Sequence, residues 1–499
     1  MISLVHSAIP FGYNGHLVEV EGDTNQGLPN FFIVGLANKT VSEAKERVRS
    51  ALINSGFSFP THKITINLAP AELQKDGPHL DLPIALSVLV LSQQLLQSDI
   101  KGKLFVGELS LNGNLRPIRG IINIVEAAKA AGLQEIYLPI ANFQQASLIP
   151  GIKIIGVPNL RALFLHLKKI QSLTPPSFVV KNIKTDINQP LLDHIRGQSL
   201  AKRALIIAIA GHHNLLLSGP PGSGKTLLAK TAVNLLPALS IEEQIAVTKL
   251  HSLASPDDQI ITTRPFRQPH HTASLSAITG GGVQALPGEV SLAHLGILFL
   301  DELPEYPRIV LESLRQPLED HFITVSRAHS KSTYPADFIL IATMNPCPCG
   351  YFGDSTHECS CSTQQISHYQ RKLSGPLLDR IDLSLSVPKV PTSDLHRSPS
   401  ASTSEHQSAL AQIKQALDRQ RRRYQSALIF NSSLSSHQAG KLPLTATAHD
   451  LLQSASNQLA LSARSYFKVI KVAQTIADLD RQAIIDVPQI SEALSLRNR

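Results

Sequence analysis

The sequence predicts an α/β chain in three blocks: a central α/β domain between an α/β or α+β block and an all-helical one. Three observations predict it. His213–Thr226 reads HNLLLSGPPGSGKT, an apolar strand (Leu215–Leu217) running into Gly-x-x-x-x-Gly-Lys-Thr, with a helix predicted over Leu227–Leu236. Gly296–Glu302 reads GILFLDE, four apolar residues ending in two acids. The chain ends in segments whose apolar residues recur with helical spacing.

Residues 1–170 alternate short strand-like and helix-like runs. Lys63–Leu68 (KITINL), Leu104–Val106, Tyr137–Pro139 and Lys153–Val157 read as strands. Asp81–Leu96 reads as a buried helix, and Ile121–Ala131 as a helix closed by Gly132. Residues 171–190 are polar, contain proline and read as a linker; residues 191–388 form the second α/β block. A Ser/Thr/Pro-rich gap, 389–404, leads to a helical unit, 405–499. There Leu410, Ile413, Leu417 and Tyr424 share one helix face; Leu451, Leu452, Ala455 and Leu459 share another; Phe467, Ile470, Ala473 and Ala477 share a third.

A length of 499 residues allows two to four domains, and 43% apolar residues supply ordinary cores. A net charge of +8 suits an acidic partner such as nucleic acid, and equally a plain basic surface. Met1–Pro10 lacks a signal pattern and no run of 18 apolar residues occurs, so a cytoplasmic protein with no membrane partner is expected.

The glycine-rich loop fixes the expected chemistry. Backbone amides of Gly219, Pro221-flanked Gly222, Ser223 and Gly224, together with Pro220, should wrap the phosphates of ATP at a helix N-terminus. Lys225 should reach the β and γ phosphates and Thr226 should place its hydroxyl on Mg²⁺. Asp301 should hold the same Mg²⁺, and Glu302 should polarise the attacking water. Asn345, after the strand Phe338–Thr343, either positions that water or caps its loop. Arg380, in SGPLLDRID, is either structural or an arginine finger offered to the γ-phosphate across a subunit interface.

All four cysteines lie in one short segment: Cys347, Cys349, Cys359 and Cys361. Two Cys-x-Cys arms in an otherwise cysteine-free chain suit structural Zn²⁺ in a 345–363 insertion. Free thiols, two labile disulfides, an iron–sulfur cluster, or His357 as a competing ligand are the other readings. Arg419, Arg421, Arg422 and Arg423 crowd one helix, as a solvated surface or as phosphate contacts.

The order of P-loop, LFLDE, MNP and LLDRID resembles the magnesium-chelatase-like branch of AAA+ proteins, and within it the ComM/YifB family. GLPNFFIVGL, NLAPAELQKDGPHLDLPIAL, RPFRQPHHTAS, PGEVSLAHLGILFLDE, NPCPCG and SARSYFKVIKVAQTIADLD carry the likeness along nearly the whole chain. The resemblance implies a Lon-like domain at 1–170, an AAA+ core at 191–388 and a helical lid at 405–499. It implies that Ile195–Gln198, with Gly197, lines the adenine pocket. It makes Asn345 sensor 1, Arg380 a residue acting in trans, and Arg464 sensor 2 acting in cis. A hairpin within 321–336, bearing Arg327 and Lys331, would face the pore of a homohexameric ring. The implied work is ATP-driven translocation on single-stranded or branched DNA, with branch migration in recombination during natural transformation.

The first block resembles the Lon protease domain but holds His79 where that site needs serine and Ile122 where it needs lysine. Ser–Lys chemistry is therefore not expected, which disfavours a protease; the block reads as a scaffold or DNA-binding platform. A metal-chelatase motor subunit, inserting Mg²⁺ into a porphyrin, is the main rival, and a non-enzymatic DNA scaffold is disfavoured by the intact nucleotide site.

Overall fold

The computed structural model describes residues 2–35, 39–73, 75, 77–174, 190–257, 259–282, 285–326, 331–354, 357–390, 404–426 and 428–497. The first block is a seven-stranded mixed sheet in the order β3-β4-β2-β1-β5-β8-β9. Its strands are β1 (Ile2–Phe11), β2 (Asn14–Asn25), β3 (Asn30–Val34), β4 (Lys63–Ala69), β5 (Lys103–Phe105), β8 (Glu135–Pro139) and β9 (Lys153–Val157), with a side hairpin of β6 (Glu108–Leu109) and β7 (Leu115–Arg116). β1 and β2 pair antiparallel, Val5 opposite Val20, and β5, β8 and β9 run parallel. The helix Asp81–Leu91 is buried along its whole length, as its almost unbroken apolar sequence requires.

The second block holds a five-stranded sheet in the order β11-β14-β17-β10-β18, every pairing parallel. These strands are β10 (Leu215–Ser218), β11 (Phe266–Arg267), β14 (Ile297–Leu300), β17 (Ile339–Met344) and β18 (Leu383–Ser386). Two small hairpins attach to it, β12 (Gly280–Gly281) with β13 (Leu286–Pro287), and β15 (Phe322–Ser326) with β16 (Lys331–Pro335). A parallel sheet places all strand C-termini on one edge and all N-termini on the other, and ligands gather at the C-terminal edge.

Alternation along these strands divides the core. Leu215, Leu217, Ile297, Phe299, Ile339 and Ile341 face one layer; Leu216, Leu298, Leu300, Leu340 and Ala342 face the opposite one. The first layer continues without a break into the helical unit, through Ile413, Leu417, Leu452, Val469, Val472 and Ile476. The long helices Glu405–Tyr424 and Ala463–Leu479 both pack on the helix Ser199–Gly211. His213 Nε2 lies 2.8 Å from Thr475 Oγ1, and Lys468 Nζ lies 2.8 Å from Asp382 Oδ1, where β18 begins.

Two of the four clustered arginines belong to this packing. Arg423 and Arg419 lie against Asp478, which is wholly buried, and Arg419 also donates to Gln482 O over 2.7 Å. Pairing with a buried carboxylate gives both guanidiniums a role in the packing of the helical unit. Among the described residues no helix is long and apolar enough to cross a membrane.

The first block docks on the helix Ile241–Ala254. Lys249 Nζ reaches Glu126 Oε2 at 2.5 Å and stands 4.0 Å above the Tyr13 ring. Gln145 donates to Asp257 O and Gln259 O over 2.6 and 3.0 Å. The turn between β1 and β2 touches the β15–β16 hairpin: a Cβ on Gly12 would sit 2.9 Å from Ser332 Oγ.

Candidate nucleotide site and metal centre

β10 delivers the loop Gly219–Gly224 to the C-terminal edge of the sheet, where the helix Lys225–Ala232 begins. Two of its glycines have different duties. Gly219 passes so close to β18's end that a Cβ would sit 2.2 Å from Val387 O. Gly224, at φ 87, starts the helix from left-handed backbone, and open space surrounds a Cβ built there. A loop with this backbone and this clearance fits a phosphate group held by amides at a helix N-terminus.

Lys225 is buried, and its ammonium donates to Gly219 O over 2.7 Å and Pro220 O over 2.9 Å, 3.4 Å from Asn345 Oδ1. Burial lowers its pKa below the usual lysine value, while Asp301 and Glu302 pull it back up. A buried cation satisfied by the loop's own carbonyls suits an incoming polyphosphate.

β14 ends in the two acids. Thr226 Oγ1 donates to Asp301 Oδ2 over 3.2 Å, which brings together the hydroxyl and the carboxylate that would share Mg²⁺. Thr343, on β17, donates to the other Asp301 oxygen, and its Oγ1 accepts from the Glu302 amide over 3.1 Å. Glu302 is exposed and stands at φ 53, left-handed backbone that a non-glycine residue adopts only when its surroundings hold it there. Thr343 is a site residue that sequence reading passed over; its signal was position, a hydroxyl two residues before Asn345 on the strand beside β14.

Ile195–Gln198 reaches the same edge. Gln198 donates to Ser223 O over 3.3 Å and Pro388 O over 2.5 Å, and a Cβ on Gly197 would stand 3.5 Å from Val390. The structure thus gathers Gly197, the loop, Thr226, Asp301, Glu302 and Asn345 in one place.

The four cysteines lie beside this site. They are free thiols whose sulfurs all fall within 4.8 Å of one another. Cys347 and Cys349 are 3.3 Å apart, Cys349 and Cys359 3.6 Å, Cys347 and Cys359 3.7 Å. A tetrahedral ion about 2.3 Å from each sulfur separates them by about 3.8 Å, so the set can hold a metal. Amides already point at the sulfurs: Phe352 N lies 3.3 Å from Cys347 Sγ and Cys349 N 3.4 Å from Cys361 Sγ. His357 is turned to Lys389, 3.1 Å away, and stacks on Tyr351. A Cβ on Gly350 would stand 2.7 Å from Pro221 Cδ, so the cysteine loop abuts the phosphate loop.

The two arginines lie elsewhere. Arg380 donates to Arg315 O over 3.1 Å and Pro376 O over 2.7 Å, and pairs with Glu319. Arg464 Nη2 lies 3.1 Å from the second Glu319 oxygen. They share a cavity with Asn214, Asp382 and Phe338, residues that precede β10, β18 and β17. This is the N-terminal edge, separated from the phosphate loop by the four-residue strand β10, roughly 13 Å of extended chain. The helical unit packs on Ser199–Gly211 and β18, which carries Arg464, expected to act in cis, to the edge opposite its own phosphate loop. Lys331 is exposed at the start of β16. Arg327 lies outside the described residues.

In the first block Ile122 is fully buried in the helix Ile121–Ala130, and His79 Nε2 lies 3.1 Å from Arg119 O. Neither side chain offers a nucleophile–base pair there.

Comparison with known proteins agrees with this layout. Residues 191–395 match the family described as "Magnesium chelatase, subunit ChlI", residues 20–142 "Subunit ChlI of Mg-chelatase", and residues 403–497 "Magnesium chelatase, subunit ChlI C-terminal". The chain is 41% identical over 503 residues to Competence protein ComM of Haemophilus influenzae, covering 99% of this chain and 97% of that one. It is 41% identical over 504 residues to the uncharacterized protein YifB of Escherichia coli, with the same coverage. A shorter stretch of 175 residues, 31% of each chain, is 30% identical to Lon protease 2 of Bacillus subtilis. The full-length identity, the three matched segments and the phosphate site at the sheet edge carry one conclusion: the chain belongs to the ComM/YifB family of magnesium-chelatase-like AAA+ ATPases with a Lon-like N-terminal domain.

Proposed function

We propose that the protein is an ATP-driven DNA motor that promotes branch migration during homologous recombination, in the service of natural transformation. The observation that carries the motor reading is the split site: phosphate loop, Asp301 and Glu302 on one sheet edge, Arg380 and Arg464 on the other. A homohexameric ring would bring the second edge of one subunit to the first edge of its neighbour, completing each site between subunits. In that site Lys225 and the loop amides hold the phosphates and Asn345 and Glu302 aim a water in line. Mg²⁺, on Thr226 and Asp301, would supply charge neutralisation at the transferred phosphate.

DNA as the partner is supported by the identity to a protein named for competence, by the +8 charge and by Lys331 on an exposed hairpin. Four thiolates in a tetrahedral set favour Zn²⁺ and a reducing, cytoplasmic setting. The metal would stiffen the loop against Pro221. The 1–170, 191–388 and 405–499 boundaries are proposed as domain limits, joined through 171–190 and 389–404.

The deciding experiment measures ATPase rate with and without forked and four-way DNA, and binding in the presence of a non-hydrolysable ATP analogue. Stimulation by DNA, and an affinity that falls steeply with salt but varies little with base sequence, is the expected result. Lys331→Ala should lower the salt slope by about one. Absence of DNA binding at low salt removes the DNA reading and leaves the ATPase. The matching family is named for magnesium chelatase, which keeps a second reading open, a chelatase-type motor acting on a protein partner. That reading expects indifference to DNA and a response to a porphyrin-binding partner.

A further inference from the structure

The first block carries a cluster of cations and aromatic rings that the nucleotide site does not use. It lies at the outer edge of the seven-stranded sheet, on β3, which pairs with β4 alone. The Phe32 ring is 38% exposed, and two ammonium groups stand over it: Lys45 Nζ 5.6 Å and Lys63 Nζ 5.5 Å from its centre. Lys63 begins β4, and Lys45 belongs to the helix Lys39–Asn54. Four residues further along that helix, and so on the same face, Arg49 lies 5.5 Å above the Phe59 ring, which stands 5.7 Å from Phe31. Tertiary packing thus interleaves aromatic and basic side chains that the sequence spreads over residues 31–63.

These cations have no counter-charge of their own. Among the described residues Lys45, Arg49 and Lys63 form no ion pair, although Glu43 and Glu46 stand exposed on the same helix. A lysine at a sheet edge by itself serves to repel another strand, which accounts for Lys63. It does not account for Lys45 and Arg49, which reach the rings from a helix. A single strand of nucleic acid offers what the cluster lacks, flat π faces for the rings and phosphates for the cations. An ammonium over an exposed ring is a weaker contact than a base stacked on it, so a base can take the Phe32 face and release the lysines to the flanking phosphates. A duplex keeps its base faces stacked inside and cannot use the ring.

Acids limit the surface on one side. β2 sets Asp23 opposite Thr65 and Glu21 opposite Asn67, one strand further into the sheet, and Asn67 donates to Glu21 Oε2 over 2.8 Å. Their charge keeps a phosphate chain off that face and leaves it β3 and the helix Lys39–Asn54 to follow.

We propose that this edge of the first block binds single-stranded DNA without regard to sequence, a base stacking on Phe32 while Lys45, Lys63 and Arg49 meet the phosphates. The inference rests on the DNA reading of the protein and deepens it: a block that holds no Ser–Lys pair gains a task of its own, gripping the unpaired strand away from the nucleotide site.

The test measures binding of labelled oligothymidine, a duplex of the same length and oligouridine to the full-length chain, with a non-hydrolysable ATP analogue present and a melting curve for each variant. Phe32→Ala should weaken oligothymidine binding at least fivefold and leave duplex binding within twofold of the parent. Phe32→Trp should keep parent affinity. Lys45→Ala combined with Lys63→Ala should lower the salt slope on oligothymidine by about 1.4, about 0.7 for each phosphate contact. ATPase rate without DNA should stay within twofold of the parent in every variant. A Phe32→Ala protein that melts normally and binds oligothymidine like the parent overturns the platform and leaves the DNA reading standing. Equal losses on single strand and duplex overturn the stacking role. Should Phe32→Ala melt early, the lysine pair decides, and an unchanged salt slope overturns the proposal. A parent that binds oligouridine at least tenfold more tightly than oligothymidine, with the Phe32→Ala loss confined to oligouridine, assigns the surface to RNA and overturns the choice of DNA. A parent that binds none of the three at low salt fails the DNA reading itself and takes the inference with it.

Discussion

The two edges of the five-stranded sheet carry opposite kinds of chemistry. The C-terminal edge gathers Lys225, Thr226, Asp301, Glu302 and Asn345 within hydrogen-bonding reach of one another through Thr343 and the loop carbonyls. The N-terminal edge gathers Arg380, Arg464, Lys468 and Lys471 around Glu319 and Asp382. The first edge has the cradle, the acids and the place for a metal, and neither Arg380 nor Arg464. The second has the arginines but no phosphate loop. A parallel sheet holds the two apart by the length of its strands, and rigidly, because alternate residues of β10, β14 and β17 are buried in both layers. The difference teaches that one chain carries its phosphate cradle and its arginine pair on opposite edges of the same sheet.

The sharpest way to break the comparison is Arg380→Ala. If the second edge serves a neighbour's nucleotide, turnover should fall by about 10³-fold, because the charge acts mainly in the transition state, while ATP binding stays near normal. Mixing this variant with Lys225→Ala should restore part of the activity, since some interfaces then pair an intact loop with an intact arginine. No recovery in mixed rings shown to form would return Arg380 to a structural role.

A smaller effect is expected at the first edge from Glu302→Gln. Loss of the polarising carboxylate should slow hydrolysis by about 10²-fold with the phosphate cradle, and so ATP affinity, unaltered. Parent-like turnover would remove Glu302 from the water-activating role. Cys359→Ser probes what supports that edge rather than what reacts there. One equivalent of metal should be lost, by elemental analysis of protein purified reduced and without chelator. The melting temperature should drop by at least about 4 °C, since each kcal/mol of lost stability shifts a domain of this size by roughly 2–4 °C. ATP affinity should change less. A parent protein without zinc would refute the metal site outright.

How far the sequence was legible depended on how local each feature is. The strands Lys63–Leu68 and Lys153–Val157, and the buried helix after Asp81, were readable because period and composition act over a few residues, and they stand within a residue or two of those limits, except that the helix ends at Leu91. The helix ends early because Ser92 and Gln93 close it, Gln93 in left-handed backbone. The arginine run 419–423 was ambiguous because a charge pattern does not say where a buried partner stands; Asp478 supplies it from another helix. Glu319 carried no signal at all, being one acid in an ordinary Pro-Leu-Glu-Asp turn.

By itself the sequence determined the phosphate loop, the acid pair, the four-thiol set and the missing Ser–Lys pair. Each is a short string, and its geometry follows from glycine freedom, a helix start or ligand spacing within a few residues. Only the tertiary structure decided that Arg464 stands beside Arg380, that both share Glu319, and that all three lie at the sheet edge opposite the phosphate loop. That outcome depends on where the helical unit buries its apolar face. Val469, Val472 and Ile476 join the layer formed by Ser199–Gly211 and the sheet, and this docking turns Arg464, Lys468 and Lys471 toward the N-terminal edge. Burial of an apolar face is non-directional and is settled by the fit of two surfaces, so no local string encodes it.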